Sequence, residues 1–545
     1  MGSEGESDRR RYLADRAAKL ESDRRKRKGA THRPWRHLSR DQQEVAKRLT
    51  AGQVTLVTVS GWGFVGDFLA FLDEIGFYAL LGIEGRGFKR VMVPIARLIM
   101  TYQMKVLLGI GSINLVPAKL FRQVALLKLI GYTTAEMASG FCQRGDLAAG
   151  PMHKNTLADA VERLRAEELE QMLNETASRL AARGFFAGSK GHFALDASDL
   201  ETTARYEGRG MKRYTEWKVD RKEKKAVEVE RLAYGFKVLI VYEVRLRLVV
   251  AAKVVPIGEH ESSHTLSLVR QAVKNLGSGV VRVLLMDRGF LDGRDLWVLK
   301  CELGIDFVVP SKDKMRVSQD ARGLCRQAQD GESLFRGERR GKRKVDRAGK
   351  VKWEGQVSVV GVAGLKSYDQ YGDEEHARQA NRKDFEGNAL GAVVVTSWQG
   401  EEHKVGEEKV FLSSLSVESP LEVLDLYDLR SLIENTAFRE LKQGWNLKSY
   451  PKKTEAAVRG HVFLTLLTFT LANAFRSSLG RELVRHGIRR QRAEEQDDNV
   501  IVFADDYYAI FHIEEVFILL GVVPEVLLRA SPDEVRRRYH RPLAA

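Results

Sequence analysis

Acidic residues stand at two places in this chain where packing alone would not put them. "HFALDAS" ends an apolar run on Asp196, and "VRVLLMDRGF" ends another on Asp287. A buried strand has no use for a carboxylate at its tip, whereas α/β sheets collect functional groups at the carboxyl ends of strands. Each acid alone reads more simply as a cap for a turn or a following helix. On neighbouring strands the two would repel unless a cation lay between them, and hard oxygen ligands suit Mg²⁺ or Mn²⁺. Asp199, three residues further on, competes for the first position, but Asp196 is the residue that closes the apolar strand. A third acid comes from "YDLRSLIENTAFRELK". In an α-helix Tyr427, Arg430 and Glu434 fall at i, i+3 and i+7 and share one face. The bland reading is a surface Arg430–Glu434 pair worth a few tenths of a kcal/mol. The sharper one is a hydroxyl, a phosphate-gripping guanidinium and a metal-binding carboxylate on one stripe.

The elements needed to hold these residues follow from periodicity. "HFALDAS", "YGFKVLIVYE" and "LRLVVAAKVVPI" predict strands; "HTLSLVRQAVKNL" predicts a helix. "VRVLLM", a helical "LDGRDLWVLKCEL" and the strand "IDFVVPS" follow. Strands followed by alternating strand and helix describe an α/β fold, a mixed sheet covered by helices. Residues 311–417 interrupt this rhythm with a basic stretch and three further strand-like runs, so a β-rich insertion is expected there. Residues 418–480 are helical again, and a helical region is expected over 481–545. Upstream, 1–48 is a charge-rich arm, either solvated or lying on phosphates. Residues 49–188 are mainly helical. A capping box at Thr133 and Glu136, then a helix after Asn155, are compatible with a helix-turn-helix or with two ordinary helices.

Composition narrows the partners. Across 545 residues, Lys+Arg number 88 against Asp+Glu 73, a formal charge of +15 that favours a polyanion such as nucleic acid. Cys142, Cys301 and Cys325 are widely spread, with no metal spacing and no disulfide framework, which fits a reducing cytoplasm. The N-terminus has no apolar core and does not read as a secretory signal. The longest apolar run, Val462–Phe475, is shorter than the roughly 20 residues a bilayer needs, so no membrane span is expected. His260 and His264 in "GEHESSHT" have a zinc-like spacing but no visible third ligand, and read more simply as caps or surface residues. "GRGMKRYTEWK" is basic and could touch a DNA backbone, yet it lacks a phosphate-loop spacing, so no nucleotide triphosphate is expected.

Taken in order, "LDASDLETT", "LLMDRGF" and "IENTAFRELK" resemble the three acid-bearing motifs of DDE transposases of the bacterial insertion-sequence type. The likeness is to the group with a Tyr-x2-Arg-x3-Glu-x6-Lys signature, and it covers roughly Gly191–Ser477. Tyr427, Arg430 and Glu434 match its spacing; the expected Lys falls on Leu441, and Lys442 comes one residue later. Since one helical step turns a side chain by about 100°, Lys442 departs from the pattern, and Lys448 is a second candidate.

The resemblance implies a ribonuclease H-like catalytic domain (189–310 and 418–480) with Asp196, Asp287 and Glu434 as catalytic triad and metal ligands. Two Mg²⁺ ions, replaceable by Mn²⁺, would act on the scissile phosphate. It implies cleavage at transposon ends and strand transfer into target double-stranded DNA, commonly by a homodimer. Tyr427, Arg430, Lys442 and Lys448 would position DNA, and Trp353 or Trp398 of the insertion would stack on a displaced base, although either tryptophan alone is more simply strand packing. The rival readings are a transposase-derived DNA-binding protein that no longer cuts, and a ribonuclease H-like nuclease of other substrate.

Overall fold

The computed structural model describes residues 37–59, 63–82, 88, 93–141, 150–219, 226–327, 337–345, 351–372, 390–399, 404–405, 408–479 and 499–520. The chain divides into two compact units, one drawn from Met1–Leu169, Ser449–Lys452 and Ala456–Ala545, the other from Glu170–Lys448 and Lys453–Glu455.

The first unit is mainly helical. The helix Glu455–Ser478 is long and apolar enough to cross a membrane by length and composition, but 94% of its most apolar window is buried in the protein. Inside this core, Tyr102 Oη lies 2.7 Å from His461 Nδ1, which satisfies two buried polar groups at once. The expected capping box is present: Thr133 accepts from the Glu136 amide at 3.2 Å and Glu136 accepts from the Thr133 amide at 2.9 Å. The next helix begins earlier than expected, with His153 rather than Asn155 as its cap, and stops at Arg163 before a new helix opens at Ala166.

Two expectations for the chain ends need correction. Of the expected arm over 1–48, only 37–48 lies within the described residues, and there Val45 joins Leu49 in a packed core. Of the expected helical region over 481–545, the described part is a hairpin, Asn499–Ala504 with Tyr507–His512, followed by the helix Ile513–Leu519. The reason is legible afterwards. Val500, Val502 and Ala504 alternate inward with Ala509 and Phe511, and Asp505 takes a left-handed φ of 49° at the turn. Among the described residues, Ser39–Arg40 and Leu56–Val59 join the hairpin in a sheet of four strands.

Among the described residues the second unit is built on eleven strands: β1 (His192–Thr202), β2 (Gly210–Val219), β3 (Ala226–Glu243), β4 (Leu248–Pro256), β5 (Val283–Met286), β6 (Asp306–Pro310), β7 (Gly337–Val345), β8 (Val351–Leu365), β9 (Leu390–Gln399), β10 (Lys404–Val405) and β11 (Lys409–Ser413). They form one sheet in the order β2-β3-β1-β5-β6-β11-β9-β8-β7, with β4 on β3 and β10 on β9. β1, β5 and β6 run parallel, while β3 is antiparallel to β1 and β4. The helix Thr265–Leu276 packs on β4, turning Leu268, Val269 and Ala272 inward. The strand-rich stretch after 311 continues this sheet, because β11 pairs antiparallel with β6.

The sheet centre is dry: Phe193, Ala194, Leu195 and Leu284–Met286 are all fully buried. At its far end β7, "GERRGKRKV", pairs only with β8 among the described residues. Its five Lys and Arg residues are a known means of blunting an open edge against further pairing. Where β1 leaves β3, Gly235 has φ +154°, and a Cβ there would meet the Leu200 carbonyl oxygen at 2.2 Å. Gly235→Ala is therefore expected to destabilise the second unit by about 2–4 kcal/mol in a denaturant titration; a neutral result would contradict this close approach of β1 and β3.

Candidate active site

Register places the first two acids. β1 and β5 pair in parallel from His192↔Val283 to Leu195↔Met286. The next residues are Asp196 and Asp287, so the two carboxylates arrive side by side. Asp287 follows the end of β5, whereas Asp196 lies within β1, which continues to Thr202 instead of ending at the acid as expected, because pairing with β3 carries it on. Asp287 then caps the single turn Arg288–Phe290, from extended backbone (φ −84°, ψ 166°). Below that turn, buried Lys237 donates to the Glu259 carbonyl at 2.8 Å and pairs with Glu261 at 3.0 Å. Glu261 lies so close to the turn that a Cβ on Gly289 would meet its Oε2 at 2.3 Å. This brace was not anticipated: it comes from "GEHESSHT", where His264 bonds Glu259 at 2.8 Å and His260 bonds the Ser262 hydroxyl at 2.8 Å. No zinc-like grouping of ligands occurs there among the described residues.

The third acid arrives on an irregular helix. The α-helix Pro420–Asp428 ends in a turn, and Ile433–Phe438 is π-helical before α-helix resumes at Arg439–Gln443. The single helical face expected for Tyr427, Arg430 and Glu434 is thus interrupted, yet the residues converge. One guanidinium nitrogen of Arg430, Nη2, lies 2.8 Å from Glu434, 3.2 Å from Asp196 and 3.6 Å from Asp287. The side chains of Asp196 and Arg430 are only 7% and 10% exposed, whereas Glu434 is 56% exposed, so the cluster opens to solvent on the Glu434 side. The Tyr427 ring packs against Phe411, with centroids 4.6 Å apart, and burial raises its hydroxyl pKa to about 12.

The π-helical turn also bears on the late lysine. Such a turn closes i→i+5 and absorbs one extra residue compared with α-helix. It includes Glu434 and precedes Lys442, so the eight-residue step between them is not that of an uninterrupted α-helix. Leu441, at the nominal position, is fully buried, whereas Lys442 is partly exposed. Burial and neighbouring Lys448 lower the Lys442 pKa, against the opposing fields of Asp199, Glu201 and Asp196. Asp199, the rival first acid, is engaged elsewhere: it accepts from Lys212 at 3.0 Å and from the Tyr214 hydroxyl. Trp353 and Trp398 lie on β8 and β9, four and three strands from β5; their side chains fall outside the described residues.

Chemically, three carboxylates converging on one point suit a hard cation. Among the described residues, however, no three acids, histidines or cysteines are drawn close enough to hold an ion directly. Arg430 separates them and supplies the positive charge. Donor chemistry therefore fits a divalent ion, with Asp196, Asp287 and Glu434 as the oxygens.

The model of the transposase DDE domain family matches residues 187–471, just over half of the chain, and the chain belongs to that family. Domains of this family generally use divalent metals. No curated protein matches the sequence. Among solved structures, the chain is similar to the piggyBac transposase of a cryo-EM synaptic complex with hairpin DNA. That match has 11% identity and a TM-score of 0.35, over 88% of this chain and 85% of that one.

Burial lifts the Asp196 carboxyl to about 7, helped by Glu434 and Asp287 and opposed by Arg430 and the Ala197 amide. A folded-state pKa above the usual 3.8 means that the native state holds its proton more tightly, so stability falls as pH rises from about 4 to about 7. Asp196→Asn lacks this loss. Its stability relative to wild type should grow by about 2–4 kcal/mol across that window and then level off, as read by thermal melts at a series of pH values; a pH-independent difference would contradict the assigned burial.

Proposed function

We propose that this chain is a DDE transposase of the bacterial insertion-sequence type, cutting DNA at transposon ends and joining those ends to target DNA. The observation that carries the reading is the convergence of Asp196, Asp287 and Glu434 within 3.6 Å of one Arg430 nitrogen. The strand order β4-β3-β1-β5-β6, with β3 antiparallel and β1, β5 and β6 parallel, supports a ribonuclease H-like core.

In this reading Asp196, Asp287 and Glu434 present oxygens to two Mg²⁺ ions, or to Mn²⁺ in their place. When bound, the metal supplies Lewis acidity at the scissile phosphate and lowers the pKa of the attacking hydroxyl. Arg430 offers its fork to phosphate oxygens, which it can grip in two places. The Tyr427 hydroxyl, Lys442 and Lys448 hold the flanking phosphates, while Trp353 and Trp398 offer ring faces to a displaced base. Water attacks in the first step and a DNA 3′-hydroxyl in the second, so no side chain becomes covalently attached to DNA. A homodimer would handle two ends together, in the bacterial cytoplasm and without a nucleotide triphosphate. Residues 49–188 would serve as the DNA-binding region.

The test is metal-dependent nicking of a duplex carrying the native element's end. Asp287→Ala or Glu434→Gln should lower the nicking rate at least about 10³-fold while leaving duplex affinity within a few-fold of wild type. Wild-type binding without nicking would favour the silent DNA-binding protein, and a preference for RNA would favour another nuclease. For the phosphate track, Lys442→Ala should reduce the slope of log affinity against log salt by about 0.9, with folding intact. Leu441→Ala should instead destabilise the fold by about 2–5 kcal/mol.

A further inference from the structure

Of the three acids, Asp287 is held least by its own side chain. Asp196 accepts from the Ala197 amide at 2.8 Å, and Glu434 accepts from Arg430 at 2.8 Å. The Asp287 carboxylate does not cap its turn, and its charge partner, Arg430 Nη2, stands 3.6 Å away, beyond hydrogen-bond reach. The backbone must therefore aim this acid, and that backbone is the single turn Arg288–Phe290.

The turn is fixed from two sides. The Phe290 amide donates to the Asp287 carbonyl at 3.0 Å, and the Phe290 side chain is fully buried. On the other side, Glu261 occupies the space beside Gly289. Gly289 is not in the left-handed region, so its backbone would suit any residue. A side chain is excluded there because its Cβ would fall on Glu261 Oε2.

Glu261 could swing away but for Lys237. In the run Phe236–Tyr242 every other residue is buried and apolar or aromatic. Lys237 pairs across the sheet with Asp199, but Asp199 is taken by Lys212 and Tyr214. The Lys237 ammonium instead reaches Glu261 at 3.0 Å and the Glu259 carbonyl at 2.8 Å, with its side chain only 4% exposed. Asp196 and Asp199 are three residues apart on β1 and so face opposite sides of the sheet. Lys237, paired with Asp199, thus lies on the side away from the acids.

Stability does not account for such a pair. Exchanging a buried ion pair for apolar side chains of similar volume is often neutral or stabilising, and an aliphatic residue at 237 would match its neighbours. What the pair supplies is a fixed span from β3 to the turn that carries Asp287. Supporting groups of this kind decide how accurately a ligand oxygen is placed.

Resting on the transposase reading, we infer that Lys237 and Glu261 are positioning residues that hold the Arg288–Phe290 turn so that Asp287 shares a cation with Asp196 and Glu434. Both act through the turn and not as ligands, and the pair thereby sets the metal affinity of the site.

The test is Mn²⁺ binding to the full chain without DNA, read from the free-ion signal in electron paramagnetic resonance. Lys237→Met should weaken binding at least about tenfold. The sign is diagnostic, because removing a positive charge would by its field alone tighten cation binding. Gly289→Ala alters no charge and displaces only the end of the Glu261 side chain. It should weaken binding similarly, yet add little to Glu261→Ala, which makes room for the new methyl. Each variant should keep the wild-type circular dichroism spectrum; if Lys237→Met does not fold, Gly289→Ala decides alone. Wild-type or tighter binding in the folded variants, with binding still lost in Asp287→Ala, would overturn the positioning role and leave the transposase reading standing. A lowered melting temperature with unchanged Mn²⁺ affinity would overturn it equally, reducing the pair to a structural tie. Failure of wild type to bind Mn²⁺, or binding indifferent to Asp287→Ala, would remove the reading and the positioning role together.

Discussion

The acid cluster depends on one register. Parallel pairing of Leu195 with Met286 leaves Asp196 and Asp287 as the next residues on two adjacent strands. A slip of one residue would send every side chain of one strand to the opposite face, separating the acids and forcing Phe193 and Leu195 into the space packed around Ala194. The apolar residues that fix the register for packing reasons therefore also fix the spacing of the acids. Function and core share one constraint.

That placement is electrostatically unfavourable. Three carboxylates around a partly buried point repel one another, and burial of Asp196 adds a desolvation cost. Arg430 offsets both by lying within ion-pair distance of all three acids. Its Nε is buried without a hydrogen-bond partner, so even the neutralising group is imperfectly satisfied. The surrounding buried sheet supplies the stability that sustains this arrangement. The Lys237–Glu261 pair under the Asp287 turn belongs to the same support.

Much of this was legible in the chain, for identifiable reasons. Asp196 and Asp287 stand out because they end apolar runs whose period is plainly strand-like, and Glu434 because it shares a short motif with Tyr427 and Arg430. The runs that became β1, β3, β4, β5, β6, β8, β9 and β11 carry the β-branched signal that strand prediction reads. What escaped was encoded by charge rather than by apolar pattern. β2 and β7 lie in basic stretches whose residues look like surface loop, because edge strands leave side chains in water. The π-helical turn at Ile433–Phe438 has no sequence signature, so the displaced Lys442 could be seen but not explained. The hairpin at Asn499–His512 was hidden in a segment read by its helical neighbours, where tertiary pairing outweighs local propensity.

The central claim is that three distant acids form one cation site. Anomalous diffraction from crystals of the full chain grown with Mn²⁺ tests it most directly. The account predicts a strong peak within about 2.5 Å of carboxylate oxygens from Asp196, Asp287 and Glu434, with the Arg430 guanidinium moved off that point. A peak liganded by other residues, or none at these acids with Arg430 still between them at saturating Mn²⁺, would contradict it.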